Sequence, residues 1–107
     1  MEVSLKDIKE LLVGGNEKST GHPYKLGEKY FIRTITMYYT GKMKAVYDKE
    51  LVMTDVSWVA DTGRFNEFLK SGSPKEVEPY PSGDVIIGRG AILDVAEWSH
   101  ELPRSTK

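Results

Sequence analysis

Arg33, Thr34, Thr36, Tyr38 and Tyr39 form one group of residues able to do chemistry, and Trp58, Asp61, Thr62 and Arg64 form a second. Aromatic faces stack on bases, paired arginines grip phosphates, and threonines with an aspartate read polar edges, so the set suits a nucleotide-like ligand. The same residues also fit plain architecture. Tyr and Trp in strands mostly pack, Thr is a good strand former, and Asp61-Thr62-Gly63-Arg64 reads as a capped turn. Arg89, between Gly88 and Gly90, marks either a sharp bend between two strands or an anion contact. The ligand-binding candidates are therefore Arg33, Thr36, Tyr38, Trp58, Asp61, Thr62, Arg64 and Arg89. Arg33 stands in a row with Phe31, Ile35, Met37 and Tyr39, where an unpartnered guanidinium would be costly. It must reach solvent, a carboxylate or an anionic ligand, and Asp61 is the expected internal partner.

Catalytic chemistry has little to stand on. The two histidines, His22 and His100, lie in a loop and in the C-terminal tail, away from any triad-like arrangement. Asp94, Glu97 and His100 have metal-ligand spacing only if their segment is helical, and a solvated surface is the plainer reading. Gly88-Arg89-Gly90 lacks the Lys-Ser/Thr pair of a phosphate loop. The absence of cysteine excludes disulfides and thiolate metal sites. No enzyme activity, metal or cofactor is expected. A net charge of −1 offers no basic field for DNA. No apolar run is long enough for a membrane helix, and the start, MEVSLKDIKELL, lacks a signal-peptide layout.

Positioning these residues falls to a mainly β chain of one domain. Leu5, Ile8, Leu11 and Leu12 share one face of a short helix over 4–13, which must dock on a sheet to be stable. A Gly- and Pro-containing loop leads to strands over 29–60, read as three runs divided at YTGK (39–42) and DKE (48–50). An insertion over 61–83 holds a helix, Arg64 to Lys70, and then a loop rich in Pro and Gly. Two further strands occupy 84–98, bent about Arg89, and the tail 99–107 reads as an arm without a core pattern.

GKMKAVYDKELVMTD resembles the first signature of the Sm-like proteins, and VIIGRGAIL resembles the second. The resemblance covers about two thirds of the chain and implies a small five-stranded Sm-like or SH3-like barrel with an N-terminal helix. The turn after Asp48 lacks the Asn that helps seat a base in Sm proteins, which counts against the RNA binding that the family would imply. IRTITMYYTGK, WVADTGRF and IIGRGAILD also look like small uncharacterised proteins of tailed phages and prophages. The resemblances imply a phage protein forming a homo-oligomer through open strand edges. Taken with the ligand-binding candidates, they leave two roles open. One is a non-enzymatic accessory protein that binds a nucleotide-like small molecule, for instance sequestering a host immune signal, in the host cytoplasm. The other is a structural, decoration or assembly subunit that binds phage structural proteins, with the virion as its place.

Overall fold

The computed structural model describes residues 18–107, so the helix expected over 4–13 lies outside the described residues. Six antiparallel strands form one open sheet: β1 (Lys29–Thr34), β2 (Tyr38–Val46), β3 (Glu50–Asp61), β4 (Glu76–Pro79), β5 (Val85–Gly88) and β6 (Ile92–Glu97). One short helix, α1 (Phe65–Ser71), precedes β4, and a 3₁₀ turn, Arg89–Ala91, separates β5 from β6. The sheet runs β4-β3-β2-β1-β6, and β5 pairs with β3 off that path. β3 is 12 residues long and serves two partners in succession, Glu50 to Met53 facing β5 and Ser57 to Asp61 facing β4. The sheet is not closed into a barrel.

The run 29–39, read as one strand, is broken by a hairpin turn that contains neither Gly nor Pro. Thr34 makes it: its N–H and hydroxyl both donate to the Met37 carbonyl, at 2.8 and 2.7 Å, and its hydroxyl accepts from the Met37 N–H at 3.0 Å. A threonine side chain thus closes a turn that β-propensity alone would extend. The expected turn at YTGK is instead the interior of β2. Gly41 is buried there because β3 presses on it: a Cβ at this position would lie 2.9 Å from Val56 Cγ2.

Bulges decide which residues reach the core. Thr40 pairs with Ser57 but Lys42 pairs with Thr54, so β3 carries one extra residue opposite Gly41. Asp55 supplies it in the left-handed region, with φ 51°. The extra residue puts Val56 on the same face as Leu51 and Met53, where strict alternation would oppose them. A shift in β2 around Lys44 does the same for Met43 and Val46. With Tyr30, Ile32 and Ile87 these residues make the first core.

Alternation along β1 sends Phe31 to the other face, where it meets Val59, Phe68, Val77, Trp98 and Leu102 in a second core. α1 and the C-terminal segment cover this face. The tail is therefore no arm. Val77 and Lys107 exchange two backbone hydrogen bonds of 2.9 Å, the Trp98 indole donates to the Glu101 carbonyl at 3.3 Å, and Arg104 faces Asp55 at 3.5 Å. Leu102 is the buried apolar anchor within the tail, packed in the same cluster as Trp98, and a single such residue gives no periodic signal. The loop expected after α1 likewise contains a strand, β4, whose only inward side chain is Val77.

Candidate functional site

Arg33 closes β1 on the second face. Its register partner in β6 is Asp94, and the two make a bidentate pair: Nε donates to Oδ1 at 2.7 Å and Nη2 to Oδ2. The guanidinium also lies 4.9 Å from the Phe65 ring centroid and 6.0 Å from that of Tyr38. The hydrogen bond from Arg33 holds the Asp94 carboxyl below its ordinary range, against the opposing effect of burial, and the same bond raises Arg33 further. Asp61 is not the partner. Its carboxylate accepts the Gly63 N–H at 2.8 Å and caps the turn before α1. The β1–β6 register selects Asp94, and no local pattern announces that register.

The other candidates fall in separate places. Thr36 is exposed in the β1–β2 turn, and Tyr38 stands edge-on to Phe31 at 5.9 Å. Arg89 is tied to the β2–β3 turn: its backbone N–H donates to the Lys49 carbonyl at 2.9 Å and its guanidinium to the Tyr47 carbonyl at 3.0 Å. Thr62 and Arg64 line one shallow cavity of about 270 Å³ with Lys75, Lys107, Ser71 and Ser73. Lys75 and Lys107 escape sequence reading because they converge only once β4 and the tail are in place.

Trp58 lies on the opposite face from Arg33, in register with Tyr39 on one side and Glu78 on the other. It lines a groove of about 220 Å³ with Met37, Glu78, Pro79, Tyr80 and Pro81. Burial pushes the Tyr39 phenol above its ordinary value, and the nearby Tyr80 hydroxyl adds to this. The paired prolines about Tyr80 were the available signal for this groove. Asp94, Glu97 and His100 do not converge: Asp94 holds Arg33, while the His100 ring stands edge-on to Trp98 with Nε2 at 2.8 Å from the Leu69 carbonyl. Among the described residues no three His, Asp or Glu side chains cluster as a metal site would need.

Comparison with family models, curated proteins and solved structures finds no match. The functional reading thus rests on this chain's own surface. No helix among the described residues is long and apolar enough to cross a membrane. Two strand edges stand out on that surface. β5 pairs only with β3 and β6 only with β1 among the described residues, so each keeps one open edge. Both carry exposed aliphatic side chains, Ile86 at 62% and Leu93 at 65%.

Proposed function

We propose that this chain is a non-enzymatic assembly subunit whose copies join by pairing β5 of one with β6 of the next. The observation that carries this reading is the two open edges with Ile86 and Leu93 beside them. An unpaired edge presents a row of N–H and C=O groups that a second chain completes, and exposed aliphatic side chains add burial. In finer detail the fold is an open relative of the Sm-like or SH3-like barrel, with β1, β2, β3, β5 and β6 corresponding to its five strands and α1 with β4 to an insertion. The strand order β6-β1-β2-β3-β5 and the 3₁₀ turn between β5 and β6 support it. The resemblance to tailed-phage proteins supports a role for such a subunit in phage assembly or decoration.

Native mass spectrometry tests the reading. The wild type is expected to be a homo-oligomer at micromolar concentration. Ile86→Lys combined with Leu93→Lys should give folded monomers, because both side chains are exposed in the subunit and edge lysines oppose pairing. A monomeric wild type contradicts the proposal.

A second reading draws on Thr62 and Arg64, which share their cavity with Lys75 and Lys107. Three cations and several hydroxyls line this cavity against one carboxylate, Glu67, and that excess of cations suits the phosphate of a nucleotide-like ligand. Under this reading nucleotides raise the melting temperature by mass action, and Arg64→Ala abolishes the rise. Arg33→Ala leaves the rise intact, since that guanidinium is held by Asp94. Absence of a shift with any nucleotide at millimolar concentration removes the reading.

A further inference from the structure

The groove over Trp58 has a chemical character unlike the rest of the surface. Its walls are Met37, from the β1–β2 turn, and Pro79-Tyr80-Pro81, at the end of β4. These walls are fixed in place. The Tyr39 hydroxyl donates to Met37 Sδ at 3.2 Å, the Tyr80 N–H donates to the Val56 carbonyl at 2.8 Å, and both prolines restrict the backbone about Tyr80. Met37 and Tyr80 are nonetheless exposed.

Among the described residues the only charged one lining the groove is Glu78, and no cation lines it. Val77 points into the second core, so Glu76 and Glu78 share the other face of β4, and both are exposed. Neither has an ion-pair partner among the described residues. Aromatic faces carry negative quadrupole potential and attract cations, and the carboxylates add to that field. An anionic group is repelled here. At about 220 Å³ the groove is smaller than the roughly 300–1,000 Å³ usual for small-molecule sites, and it suits one long side chain.

We propose that this groove receives an Arg or Lys side chain from a basic, extended segment of a protein partner. The apolar stem lies along Met37 and the prolines, the cationic head sits over Trp58 and Tyr80, and Glu78 neutralises it. The site belongs to the single subunit and is independent of pairing at β5 and β6.

The test titrates full-length protein with blocked pentapeptides alternating Ser with Arg or Ser with Glu, following the two indole N–H resonances. Trp98, buried and bonded to Glu101, serves as the internal control. The Arg peptide is expected to move the Trp58 resonance saturably and leave Trp98 still, and the Glu peptide to move neither. Glu78→Gln should weaken Arg-peptide binding roughly fivefold, in line with an exposed charge pair, while Trp98 reports an intact fold. Tyr80→Ala should weaken it as well. Equal response to the Glu peptide or to adenosine monophosphate, indifference to Glu78→Gln, or no saturable shift would overturn the proposal.

Discussion

Gly72→Ala is expected to cost about 2–5 kcal/mol, far more than an ordinary surface substitution. Gly72 caps α1 in the left-handed region, with φ 73°, and its N–H donates to the Phe68 carbonyl at 2.8 Å. A non-glycine residue there carries about 1–2 kcal/mol of strain. The larger effect is steric. A Cβ would stand 2.4 Å from His100 Cγ and 2.5 Å from its Cβ, so the tail must move away. Moving it breaks the contacts that His100 makes with the Leu69 carbonyl and the Trp98 ring. Urea unfolding of the double-mutant cycle with His100→Gly separates the two effects. In the His100→Gly background the alanine should cost only its backbone strain. A loss below about 1 kcal/mol in the wild-type background would show that the tail does not pack as described.

The second large effect is expected from Trp98→Ala, at about 3–5 kcal/mol. The indole is buried and lies 5.0 Å from the Phe68 ring, 6.0 Å from Phe31 and 4.8 Å from His100 by ring centroids. It joins β6 to α1 and to the tail, so its removal opens a cavity and loosens three segments together. A domain of this length has about 5–15 kcal/mol in all, so the variant should be marginal at room temperature. Thermal unfolding followed by circular dichroism measures the loss, and Trp98→Phe should retain most of the stability. A small change in melting temperature for Trp98→Ala would mean that the second core is not a stabilising layer.

The parts of the fold legible in the sequence are those set by local chemistry. The alternating, β-branched runs announce strands, Asp48-Lys49 announces the β2–β3 turn, and Phe65, Phe68 and Leu69 announce α1. Features set by contact between distant segments are not legible. Thr34 closes a turn with a hydroxyl in a stretch that reads as strand, and Gly41 looks like a turn residue but makes room for Val56. Asp55 shifts the register of β3 by one residue and so reverses the faces beyond it. The candidate site shows the same division. Arg33 was recognisable as a cation in an apolar row that needed a partner, but that partner, Asp94, is 61 residues away and is chosen by strand pairing. Trp58 was recognisable as an aromatic that could stack on a ligand or simply pack, whereas its setting depends on β4, which lies in a stretch rich in Pro and Gly.

The account's central claim, assembly through β5 and β6, is tested most directly by amide hydrogen exchange at increasing protein concentration. Amides of Val85–Gly88 and Ile92–Glu97 that lack a partner within the subunit should gain protection as concentration rises, while those of α1 do not change. Exchange in both strands that is independent of concentration, or protection gained only elsewhere, would contradict it.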